Sequence, residues 1–194
     1  MIVTIDGLSG QGKSTIGKML ADKSGFEFFS TGLLVRLVAK KLMENPSLEV
    51  NDVVRSLPIQ EAVLIDPALL RTPDIVPYMK RVIETEGAIV ELYHLLNVYY
   101  GERNVIFDGR DTFKYFKEAA LKYYFVCSLE ERVAIRMNKK HWSKEECYAY
   151  FQQRDAVERE VDYSDADLIL VRPLEYPSMD DLVNKMYEDI QRLM

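Results

Sequence analysis

The sequence predicts an α/β protein in which a five-stranded parallel sheet carries helices on both faces. Three observations predict it. Short apolar runs alternate with stretches of helical spacing along the whole 194 residues, and such alternation makes the strands parallel and the helices their crossovers. The first apolar run ends in a glycine-rich turn, as a buried parallel strand does. Helix boundaries carry their own signals, either Ser followed three places on by an acidic residue or a terminal Gly.

Taken in order, Ile2–Ile5 is the first strand, and the helix after its turn carries Ile16, Met19 and Leu20 before Gly25 stops it. Glu27–Phe29 is the second strand. Leu34, Leu37, Val38 and Leu42 mark the next helix, with Pro46 beyond its end. From Asn51 to Gly101 the chain reads as helical throughout, broken at Pro58, Pro67, Pro73 and Pro77. Asn104–Phe107 and the aromatic Tyr123–Cys127 are the third and fourth strands. Ser128 with Glu131 opens a helix to about Lys139, and Ser143 with Glu146 opens another to about Val161. Leu168–Val171 is the last strand. Ser178 with Asp181 then caps a helix whose Met179, Leu182, Val183, Met186, Ile190 and Leu193 form one apolar stripe expected in the core.

Composition narrows the function. With 25 basic and 31 acidic side chains the net charge is −6, so a broad basic face for nucleic acid or an anionic membrane is excluded. Two cysteines make neither a disulfide framework nor a zinc site, which suits a reducing cytoplasm. No apolar run reaches the roughly 18 residues that span a bilayer, and the start lacks the basic region of a signal peptide. The expectation is one cytoplasmic domain over residues 1–194, monomeric, with no nucleic-acid or membrane partner.

Gly7-Leu8-Ser9-Gly10-Gln11-Gly12-Lys13-Ser14 matches G-x-x-x-x-G-K-[ST], between a predicted strand and a predicted helix. Glycines let such a loop wrap until its amides face a phosphate, and the helix after it adds free donors and a favourable dipole. Lys13 reaches the β- and γ-phosphates, and the Ser14 hydroxyl can ligate Mg²⁺. With Thr15, these residues form a nucleoside triphosphate site of the P-loop kind. Arg36 and Arg110 each follow a strand, where open α/β sheets place ligands, and two such arginines can grip one phosphate. Arg132, Arg136, Arg154 and Arg159 lie on two helices joined by a short turn, a hairpin that can close over reacting phosphates. Of these, Arg132 reads as a solvated surface cation.

Further motifs resemble bacterial-type cytidylate kinases along most of the chain. They are Ile5-Asp6-Gly7 with Gly12-Lys13-Ser14-Thr15, Thr31-Gly32 before Arg36, Arg71-Thr72-Pro73, Asp108-Gly109-Arg110-Asp111, Glu130-Glu131-Arg132, and Gln153-Arg154-Asp155 before Glu158-Arg159. The resemblance implies a P-loop NTPase fold of three α/β/α layers, with a helical acceptor-binding insertion at about 36–100 and a helical lid at about 137–160. It implies ATP and Mg²⁺, with a nucleoside monophosphate, CMP or dCMP, as acceptor. By the same resemblance Thr31, Arg36, Arg110 and Asp111 hold the acceptor, and Arg154 and Glu158 approach it from the lid. Arg136 and Arg159 stabilise the charge in transfer alongside Lys13, and Asp108 either holds Mg²⁺ through water or caps a helix.

The sequence departs from that pattern around the acceptor. Ser30 stands for the family's Asp, Val35 for its Tyr, Thr112-Phe113-Lys114 for a glycine and threonine, Lys80 for a serine, and Val157 and Val161 for arginines. Two other readings stay open: a kinase of another small acceptor, and a nucleotide-binding regulatory protein without catalysis. Tyr123, Tyr124 and Phe125 read as core rather than a base-stacking platform, His141 and Trp142 as a solvated turn, and Cys127 as an inert buried thiol.

Overall fold

A computed structural model of the chain describes residues 1–70, 72–140, 142–155 and 167–194, with backbone alone at 61, 67, 68, 73, 138–140, 153 and 154. The elements in order are β1 (Ile2–Gly7), α1 (Lys13–Ser24), β2 (Glu27–Ser30), α2 (Gly32–Glu44), α3 (Val50–Arg55), α4 (Ile59–Ala62), α5 (Val76–Glu84) and α6 (Ala88–Tyr100). There follow β3 (Val105–Asp108), α7 (Thr112–Tyr115), β4 (Leu121–Phe125), α8 (Leu129–Lys140), α9 (Lys144–Asp155), β5 (Leu168–Val171) and α10 (Met179–Gln191). The sheet has five strands in the order β2-β3-β1-β4-β5. β1 runs parallel to β3 and to β4, and β4 parallel to β5. The chain forms two compact units, Met1–Phe28 with Asn104–Met194, and Phe29–Arg103.

In the first unit, Val3, Ile5, Tyr123 and Phe125 share one face of β1 and β4 and are buried, while the other face carries the buried Thr4, Asp6, Lys122 and Tyr124. α1 lays Ile16 and Leu20 on this sheet beside Leu182, Met186 and Ile190 of α10. Ser178 caps α10 by accepting the Asp181 amide at 3.1 Å. The apolar stripe of α10 is shorter than its sequence pattern: Met179 is 56 % exposed and Leu193 51 %, because the pattern runs past both ends of the surface it packs on. β4 lies two residues earlier than Tyr123–Cys127, so Cys127 is outside it and half-buried. The helix that Ser143 opens is described as far as Asp155, and its extension toward Val161 lies outside the described residues.

The second unit is all helical after Phe29 and Ser30. α2 packs on α5 and α3, and α3 on α6, and these helices bury Leu34, Leu37, Leu42, Val54, Val82 and Leu96. The prolines here do not simply interrupt one helical run. Pro67 and Pro73 open 3₁₀ turns, Pro58 precedes the single turn of α4, and Pro77 lies in the first turn of α5. A proline in a first turn forfeits no hydrogen bond, because the amide it lacks has no partner in the helix.

Candidate active site

β1 and β3 are parallel neighbours, so the loops that follow them leave the same carboxyl end of the sheet. That places the glycine-rich loop of residues 7–12 beside Asp108-Gly109-Arg110-Asp111, and the Gly109 amide donates to the Ile5 carbonyl at 3.1 Å.

The first loop is tightly packed. At Gly7, with φ +137°, a Cβ would stand 2.2 Å from Gln11 Oε1 and 2.8 Å from the Phe125 carbonyl. At Gly10, with φ +90°, it would stand 2.5 Å from the Phe151 ring of α9. Side chains are excluded at both positions by space as well as by backbone conformation. Gln11 is buried within the loop. Lys13 opens α1 and donates its ammonium back across the loop to the Leu8 carbonyl at 2.8 Å. Ser14, one residue on, is exposed, and Thr15 donates its amide to the Gly12 carbonyl at 3.0 Å.

Beneath the loop lies Asp6, fully buried, which the sequence motifs do not single out as a site residue. Its carboxylate accepts the Thr112 amide at 2.7 Å, the Phe113 amide at 3.2 Å and the Thr112 hydroxyl. Burial pushes its pKa up to about 6, against the pull of these donors and of the Lys13 charge. α7 thus starts on Asp6, and Arg110 and Asp111 immediately precede it, both half-buried. Asp111 also pairs with Lys114 at 3.2 Å. Asp108 is buried at the end of β3.

The hairpin α8–α9 approaches the loop through a residue read as solvated. Arg132 is only 3 % exposed. Its guanidinium donates to the Ser9 carbonyl at 3.2 Å and, in bidentate fashion, to Asp155, with one arm at 2.9 Å. It lies 4.7 Å from the centre of the Phe151 ring. The expectation of a surface cation is corrected by these contacts, all made by residues distant in sequence. Arg136, one turn further along α8, lies 4.3 Å from the centre of the Trp142 ring and 4.0 Å from that of Tyr150, so Trp142 belongs to an aromatic cluster rather than a solvated turn. Arg154 is placed by its backbone in α9, whereas Glu158, Arg159, Val161, Arg71 and His141 lie outside the described residues. Burial and Glu131 push the Cys127 thiol up to about 11, which suits an inert sulfur.

In the second unit, Thr31 is buried where α2 begins and its hydroxyl lies 3.2 Å from that of Tyr93. Arg36 folds back to the Gly32 carbonyl at 3.1 Å. Lys80 pairs with Glu84 at 3.6 Å on an exposed face of α5.

The loop suits a polyphosphate, since it offers an ammonium and the amides of a helix start, which have no partners within their own helix. Ser14 and Asp108 are hard oxygen donors. Among the described residues no cluster of three or more His, Cys, Asp or Glu could hold a metal. Mg²⁺ is compatible with that, because it takes one or two protein oxygens and fills its shell with water and substrate phosphates. Among the described residues no helix is long and apolar enough to cross a membrane.

The model of the cytidylate kinase family matches residues 3–192. A cytidylate kinase of Chlamydia caviae is 30% identical over 80% of this chain and 80% of its own. That of Fusobacterium nucleatum is 26% identical over 100% of this chain and 98% of its own. Among solved structures, a gluconokinase from Sinorhizobium meliloti superposes with a TM-score of 0.56 at 11% identity, covering 98% of this chain and 91% of its own, a likeness of fold.

Proposed function

The chain belongs to the cytidylate kinase family, and we propose that it transfers the γ-phosphoryl group of ATP to CMP or dCMP, giving the nucleoside diphosphate. The nucleoside monophosphate kinase activity rests on the family. The choice of acceptor rests on the motifs at Thr31, Arg36, Arg110 and Asp111. One observation carries the reading: the loop of Lys13 and the loop of Arg110 leave adjacent parallel strands at the same carboxyl end of the sheet.

In this account Lys13 exchanges the Leu8 carbonyl for the β- and γ-phosphates, and Ser14 and Asp108 are the residues that would hold Mg²⁺. Bound Mg²⁺ neutralises charge on the phosphate oxygens. An oxygen of the acceptor phosphate attacks the γ-phosphorus, the bond to the β-phosphate oxygen breaks, and ADP leaves. That acceptor oxygen is already anionic at neutral pH, so no side chain need remove a proton. The protein's work is positioning and charge stabilisation. By their motifs, Arg110 and Asp111 hold the acceptor, and Thr31 and Arg36 are assigned to it likewise. By the resemblance, the lid at about 137–160 excludes water, Arg136, Arg154 and Arg159 supply cations, and Glu158 belongs to acceptor binding.

A second reading, another small acceptor on the same machinery, is favoured by Lys80, which occupies the place of a family serine and is engaged by Glu84. A screen of ADP formation with CMP, dCMP, UMP, AMP, dTMP and GMP separates the two. Turnover of CMP or dCMP supports the proposal, and turnover of none of the six overturns it.

A further inference from the structure

We propose that Arg132 is a positioning residue that fastens α9 of the lid hairpin to the phosphate-binding loop, so that one buried guanidinium sets both the loop's shape and the base of Arg154. The inference rests on the reading of that loop as the ATP site and adds a role that no motif assigns.

Three contacts carry it. First, Arg132 donates to the Ser9 carbonyl at 3.2 Å, in the middle of the loop. The peptide between Ser9 and Gly10 is planar and trans, so fixing this carbonyl toward Arg132 directs the Gly10 amide the opposite way. The bond therefore selects one of the two orientations open to that peptide, and loop amides are the groups that bind phosphate. Second, both arms of the guanidinium engage Asp155, the residue after Arg154, so the pair anchors the turn of α9 that contains the backbone of Arg154. Third, Phe151 is fully buried, lies against the guanidinium at 4.7 Å and leaves no room for a side chain at Gly10. Gly10, Phe151 and Arg132 thus form one packed contact between loop and lid.

Energetics argue that this arrangement serves more than stability. A guanidinium that is 3 % exposed has given up most of its water, and apolar side chains of similar volume often serve stability as well as or better than a buried ion pair. What an apolar residue cannot supply is a donor for Ser9 and a fork for Asp155. Arg132 is engaged by both and by the Phe151 face, so it acts through the loop and through α9 rather than on the reacting atoms.

The test compares wild type with Arg132→Lys, Arg132→Met, Asp155→Asn and the Arg132→Met/Asp155→Asn double variant, measuring the ATP dissociation constant by calorimetry alongside thermal melting. Loss of a charge-assisted contact that shapes the loop is expected to weaken ATP binding by about tenfold in Arg132→Met. Asp155→Asn should weaken it less, and Arg132→Lys should fall between wild type and Arg132→Met, since an ammonium keeps one contact but not the fork. The double variant should bind ATP no more weakly than Arg132→Met, because the two side chains act as one device. Folded variants that melt lower but bind ATP within twofold of wild type would overturn the proposal, as would independent, additive effects at the two sites. Should Arg132→Met fail to fold, Arg132→Lys and Asp155→Asn decide by the same criterion. Wild-type protein that binds ATP but phosphorylates no monophosphate removes the kinase reading and leaves this comparison intact, whereas wild type that fails to bind ATP removes both.

Discussion

Asp6 receives the backbone amide of Thr112 at 2.7 Å, which joins the strand leading into the phosphate-binding loop to the short helix behind Arg110 and Asp111. The link involves two residues that depart from the family pattern. Thr112 and Phe113 replace a glycine and threonine, and here both offer amides to the buried carboxylate, with the Thr112 hydroxyl beside them.

That carboxylate makes stability depend on pH. Its pKa in the folded protein is raised by burial from 3.8 to about 6, so between those values the folded state binds more protons than the unfolded state. The sign follows: protonation at Asp6 favours folding fully below 3.8, and the benefit is lost as pH rises through about 6. Asp6→Asn carries no such dependence. The stability of wild type relative to Asp6→Asn should therefore fall between pH 4 and pH 7 by at most about 3 kcal/mol, read as a lower relative melting temperature. A difference that stays constant over this range would show that Asp6 titrates normally.

Gly10→Ala should impair both folding and ATP use. The new Cβ would fall 2.5 Å from a fully buried Phe151 ring, at a backbone φ of +90° that L-residues rarely adopt. Overpacking of this kind costs about 1–3 kcal/mol, with strain at φ adding to it. Equilibrium urea unfolding measures the first effect and the ATP dissociation constant the second. A variant as stable as wild type, with unchanged ATP affinity, would mean that loop and lid are not packed together.

Arg110→Ala should harm use of the acceptor rather than of ATP. Removing one charge-assisted contact costs about 1.5–3 kcal/mol, or roughly tenfold to a hundredfold in kcat/KM for the acceptor. Steady-state kinetics with each substrate varied in turn separate the two. Intact acceptor kinetics with weakened ATP binding would reverse the assignment.

The parts legible in the sequence are those whose signals are local. The loop of Gly7–Ser14 declares itself because one short stretch supplies the glycines, the Lys and the Ser together, and Ser178 reveals α10 because cap and helix are contiguous. Arg132 was illegible for the opposite reason. Its partners Asp155 and Ser9 lie 23 and 123 residues away, and an Arg on an amphipathic helix carries no mark of burial. Asp6 is 106 residues from Thr112, and α7 is a single turn too short to show a period. The boundaries after Asn51 were not legible because its prolines stand at the starts of helices and turns, where a breaker reading expects ends.

Specificity is expected to be loose at the base. A site rejects analogues strongly when they leave its polar groups unpaired. Lys80 is already paired with Glu84 on an exposed face, and Val161 is apolar. Comparison of kcat/KM for CMP, dCMP and UMP at fixed ATP and Mg²⁺ should show CMP preferred over UMP by less than about a thousandfold. A larger preference would mean that other residues read the base.

The central claim, phosphoryl transfer from the P-loop to a nucleoside monophosphate, is tested most directly by quantifying CDP and ADP formed from CMP and ATP with Mg²⁺, in wild type and in Lys13→Ala. The account predicts equal amounts of the two products, no ADP without acceptor, and no transfer by a Lys13→Ala protein that melts as wild type does. ADP released without CDP, or CDP formed at a near-normal rate by Lys13→Ala, would contradict it.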